Sequence, residues 1–196
     1  MNIFYPKIAL RTLPVMFGFA IMGALIAGTY GILHDQITYT ISPEYFTKLK
    51  FVQFHYADFG FPRRVFVGEV GFLATWWVGF VAAWFLARLS VPTWPTRKAF
   101  QYTLTGFGII FGSAMVAGAI GCVLGYYRRS NSDFSGWQHY AVMNGVGDLP
   151  AFVNVAYIHN AGYLGALAGL IAALGYFKWK KSQTLPRGEQ SANNCV

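Results

Sequence analysis

The sequence predicts an all-α integral membrane protein with four transmembrane helices and two longer outer loops containing short interfacial helices. Three observations carry this reading. Of 196 residues, 55% are hydrophobic and only 11% charged, whereas a soluble domain of this size needs a charged surface over its core. The apolar residues gather into four blocks, each meeting the ~20 residues that cross about 30 Å of hydrocarbon. The basic residues stand at the ends of these blocks, at headgroup level. They share no single surface, which excludes nucleic acid as a partner despite a net charge of +8.

The first block, residues 13–33, follows Lys7 and Arg11. It is longer than the ~7–15 apolar residues of a signal-peptide core and lacks a clean small-x-small cleavage site, so a retained helix is expected. The second, residues 65–89, follows Phe61-Pro62-Arg63-Arg64 and ends before Pro92 and Pro95, which force a short turn. The third, residues 103–127, stops at Arg128-Arg129. The fourth, residues 152–177, stops at Lys178-Trp179-Lys180-Lys181 and is preceded by Asp148-Leu149-Pro150, an acid near the N-cap and a proline in the first turn.

Residues 35–62 and 128–147 are long for connections in a helix bundle. The first holds Ser42-Pro43-Glu44, a cap, an N1 proline and an early acid that predict a short helix from Pro43. Residues 49–56 have no clean period. The second holds Ser132-Asp133, then 134–144 and Gly145, which read as a capped short helix with a glycine stop. Both are rich in aromatic residues, which favour the membrane interface. Residues 1–181 thus form one four-helix domain, and the polar segment 182–196 has too little apolar surface to order itself.

Four spans put both termini and the Pro92 turn on one side. That side carries Lys7, Arg11, Arg88, Arg97, Lys98, Lys178, Lys180, Lys181 and Arg187 against one acid, Glu189. An excess of Lys and Arg marks the cytoplasmic face, so both termini are expected in the cytoplasm and the protein in a plasma or bacterial inner membrane. Cys122 and Cys195 then lie on opposite sides and cannot form a disulfide. Three glycine pairs at four-residue spacing, Gly108/Gly112, Gly121/Gly125 and Gly165/Gly169, read as close helix packing within the chain, with self-association or other membrane subunits as the alternative partner to the lipid bilayer.

All four histidines and six of the seven acids fall on the outer side. Histidine and carboxylate are the usual ligands of zinc, copper and non-haem iron. His34, at the end of the first block, and His159, in the fourth, lie at one depth. Glu69, about one turn into the second, lies close to it. Should these helices be neighbours, His34, His159 and Glu69 converge as a candidate metal site, with Asp35, His55 and His139 as supporting groups. A facing histidine pair is also a candidate haem site. No H-E-x-x-H, Cys-x-x-Cys, P-loop, dinucleotide-binding or nucleophile-elbow pattern occurs. Three functions remain. A structural or accessory subunit of a membrane complex asks least of the sequence. A metal- or haem-binding membrane protein, including a redox protein, is the second. An oligomeric pore is the third.

Overall fold

The computed structural model describes residues 9–131, 134 and 136–184. Four helices dominate it: α1 (Leu13–Ile41), α2 (Arg63–Ser90), α3 (Thr96–Ser130) and α4 (Leu149–Thr184). Each is long and apolar enough to cross a membrane, and the described residues contain no strand.

The helices outrun their apolar blocks, and the longest overrun at one end is that of α1. It continues through His34-Asp35-Gln36-Ile37-Thr38-Tyr39-Thr40-Ile41, a stretch that hydropathy alone places outside the first span. Thr38 Oγ1 donates to His34 O at 3.1 Å and Thr40 Oγ1 to Gln36 O at 3.0 Å, so the threonines bond back along the helix instead of breaking it. Ser42 takes an extended conformation (φ −143°, ψ 96°) before Pro43 and ends the helix. His34 therefore lies two turns inside α1, not at its end. At the other extreme, α4 runs on through Ser182 to Thr184, further than the polar composition from Ser182 suggests. The rest of the tail, with Cys195, and the Ser132-Asp133 cap lie outside the described residues.

The helices pack as two tight pairs, α1 with α2 and α3 with α4, with lighter contact between pairs. Glycine permits the close approach. A Cβ on Gly71 would meet the carbonyl of Gly31, and one on Gly31 would meet the carbonyl of Gly71. Thr75 Oγ1 crosses the same seam to Ala27 O at 2.8 Å. Gly121, Gly125, Gly165 and Gly169 do the same work between α3 and α4, whereas Gly108 and Gly112 face open space. Two of the three glycine pairs singled out from sequence thus pack inside the chain.

The tight pairs are joined internally by the long connections, and to each other by the short turn at residues 91–95. From Pro43 the chain continues as Pro43–Tyr45, a π-helical turn Phe46–Lys50 and Phe51–Gln53, then a 3-10 turn His55–Ala57. The Ser42 side chain accepts from Tyr45 N at 3.3 Å. This segment folds into the mouth of the bundle, where Tyr45 and Phe46 join Tyr39, Val67, Phe152 and Val155 in a buried cluster. The second connection carries a helix at Gln138–Met143 and packs Trp137 and Tyr140 against the same cluster. Two contacts tie the connections together. Tyr140 Oη donates to Lys48 O at 2.8 Å, and the Glu44 carboxylate accepts from Gly147 N at 3.0 Å and Asp148 N at 2.7 Å. Those two amide donors hold the Glu44 carboxyl below its ordinary range.

Candidate metal centre

The cluster forms where the two helix pairs face each other at the mouth end. His34 and Asp35 come from α1 and His159 from α4, and one ligand atom of each lies within 4.8 Å of the others. Asp35 is 4% exposed and His159 3%. His159 Nε2 stands 3.2 Å from Asp35 Oδ1, and its Nδ1 stands 3.0 Å from Val155 O, one turn back on its own helix. Asp35 Oδ2 is buried with no hydrogen-bond partner among the described residues.

Aromatic rings fix these groups. Tyr45 stacks on His159 with centroids 4.9 Å apart, and Phe46 meets it edge-on at 6.2 Å. Tyr30 stacks on His34 at 5.6 Å and on Phe111 at 5.0 Å. Burial pushes the Tyr45 phenol well above its usual range, with the Tyr163 and Asp35 charges adding to the shift, so it stays protonated. Behind the cluster lies a cavity of about 80 Å³ among all four helices, walled mainly by apolar side chains such as Val78, Phe107, Ile110 and Phe111.

The histidine geometry poses a chemical question. The carbonyl of Val155 can only accept, so Nδ1 of His159 carries a proton. In the neutral ring Nε2 then holds a lone pair aimed at a carboxylate oxygen, which is repulsive unless a positive species lies between them. A proton there gives either a buried imidazolium–carboxylate pair, in which desolvation opposes the Coulombic gain, or a neutral carboxylic acid donating to Nε2, and both leave Asp35 Oδ2 without a donor among the described residues. A metal ion bound by Nε2 and by both Asp35 oxygens would remove both defects. Ligand atoms each about 2.0–2.2 Å from one ion stand roughly 3.3–3.6 Å apart in a tetrahedral site, close to the 3.2 Å between His159 and Asp35, whereas the three-residue set spreads to 4.8 Å and would have to close inward on an ion. A backbone carbonyl on Nδ1–H is also the usual way that a metal-ligating histidine is oriented. Three protein ligands would leave coordination positions open on such an ion.

Haem fits less well. The His34 and His159 rings touch edge-to-face at 4.9 Å between centroids, which leaves no slot for a macrocycle between them.

The other residues proposed from sequence lie elsewhere. Glu69 does not join the cluster. It lines a separate groove with Ile32, Gln36 and Arg64, and its Oε2 is buried without a partner among the described residues. Ile32 and Gln36 each stand two residues from His34, about 160° round α1 from it, so the face that Glu69 meets is not the ligand face. His55 is exposed on the 3-10 turn, its Nδ1 3.0 Å from Val52 O. His139 is exposed on the short helix Gln138–Met143. Asp35, expected only as support, supplies the carboxylate. Its signal in the sequence was adjacency to His34 inside a helix.

The chain matches no family model, no curated protein and no solved structure.

Proposed function

We propose that the protein is a four-span membrane protein that binds one divalent transition-metal ion through His34, Asp35 and His159. The observation that carries the reading is His159: a ring whose Nδ1 is held by Val155 O while its Nε2 faces Asp35 Oδ1 at 3.2 Å. Imidazole with carboxylate suits zinc, iron and copper, and an ionisable cluster among membrane helices favours a functional role. The excess of Lys and Arg on the side of both termini supports a cytoplasmic location for that side, with the centre near the opposite face. The accessory-subunit reading asks for no ligand and leaves the His159–Asp35 contact and Asp35 Oδ2 unexplained. A pore has no support from a small apolar central cavity.

The test is elemental analysis of the full chain, purified in mild detergent without chelators, followed by cobalt(II) titration of the metal-free form. About one ion per chain is expected in the wild type and in Glu69→Gln, with loss in Asp35→Asn and His159→Gln. A wild type that carries no zinc, iron or copper and gives no cobalt ligand-field bands overturns the reading.

A further inference from the structure

Lys50 closes the π-helical turn Phe46–Lys50 and is 6% exposed. Its ammonium donates to Tyr163 Oη at 3.4 Å and lies 6.0 Å from the Phe54 ring centroid and 5.9 Å from that of Tyr163. Among the described residues no carboxylate pairs with it, and Asp35 is engaged by His159. A buried cation with no counter-charge is strongly unfavourable, and ring faces compensate it only in part. Depth sharpens the point. Tyr163 stands about 15 residues before Lys178, or about 22 Å along α4.

Lys50 lines one end of a groove of about 470 Å³ between α2 and α4. From there the groove runs away from the mouth along Trp77, Val78, Leu167 and Leu170. Trp77 and Leu167 are more than half exposed, so the groove opens sideways, on the outside of the bundle. Its volume falls in the ~300–1,000 Å³ range of ligand sites, and one placed polar group in an apolar lining is their usual chemistry.

We propose that this groove binds an anionic membrane lipid, its phosphate or carboxylate on Lys50 and its hydrocarbon chain along Trp77, Val78, Leu167 and Leu170. The headgroup supplies the charge that the protein withholds from Lys50, and the chain covers the apolar wall. Tyr163 stands between this groove and His159, whose ring centroid is 6.3 Å from its own. The inference does not depend on the metal centre.

The test uses the full chain in a non-ionic detergent with parinaric acid, a fluorescent fatty acid, read by energy transfer from tryptophan. Parinaryl alcohol, the same chain without the charge, is the control. Saturable binding of the acid, at least about tenfold tighter than the alcohol, is expected. Lys50→Gln should bind the acid no better than the alcohol, Leu167→Trp should weaken both, and Trp77→Phe should lower the transfer without lowering affinity. Removal of metal by a chelator should leave acid binding unchanged, which separates this site from the metal centre. Equal affinity of the wild type for acid and alcohol overturns the proposal, and needs no variant to fold. Complete displacement of the acid by millimolar inorganic phosphate also overturns it, since the site would then take a free anion.

Discussion

His159 and Asp35 lie 124 positions apart in the chain and meet at 3.2 Å, both almost wholly buried, where α4 faces α1. No other histidine–carboxylate contact joins the two helix pairs among the described residues, so this one couples their packing as well as the local chemistry.

Removal of one member alone should therefore be costly. Asp35→Ala or His159→Ala should each destabilise the protein by about 3–5 kcal/mol, because each leaves a buried polar partner behind. The double variant should lose about 1–3 kcal/mol less than the sum. Reversible unfolding in mixed micelles, followed by circular dichroism on metal-free protein, measures the cycle. Strict additivity would show that the two residues do not interact.

The glycines divide by what a methyl group would meet. Gly71→Ala drives a Cβ into the Gly31 carbonyl, so it should destabilise the α1–α2 pair by about 1–3 kcal/mol. Gly108→Ala and Gly112→Ala meet nothing within 4 Å. They should be neutral, or stabilising by up to about 1 kcal/mol through helix propensity. Parallel thermal melts decide it, and equal melting of Gly71→Ala and Gly108→Ala would falsify the close-packed seam.

Glu44 should make the tie between the two connections pH-dependent. Its carboxyl is lowered by the Asp148 and Gly147 amides. A lowered folded value means the ionised tie is fully present above the ordinary carboxylate range. It is lost as pH falls through the lowered value. At neutral pH, Glu44→Ala should speed hydrogen exchange at the Gly147 and Asp148 amides. In the wild type, intrinsic rates aside, the same protection should disappear only at pH below the ordinary range for a glutamate. Protection that is unaffected by the substitution removes Glu44 from this role.

Much of this fold was legible in the apolar blocks, since a membrane-length run of Leu, Ile, Val, Phe, Ala and Gly has few other uses. The helix ends were less so. Gln36, Thr38 and Thr40 depress hydropathy while α1 continues, because their side chains bond to its own carbonyls or to Arg64. The site was half legible. Depth along a helix follows from counting residues, which brought His34 and His159 to one level. Which faces meet depends on how the helices are rotated and paired, and that excluded Glu69 and brought in Asp35. Lys50 gave no signal, because residues 49–56 lack a period and the π-helical turn that aims it is invisible in composition.

The pairing of helices has a consequence for biogenesis. α1 and α2 emerge from the ribosome first and can pack on each other through Gly31 and Gly71 while α4 is still being made. During that interval Asp35 has no His159. The half-made protein carries an unmatched acid among its apolar helices, a costlier state than the finished one. Arrival of the last helix supplies the missing partner, so the contact between Asp35 and His159 closes only once all four spans are made.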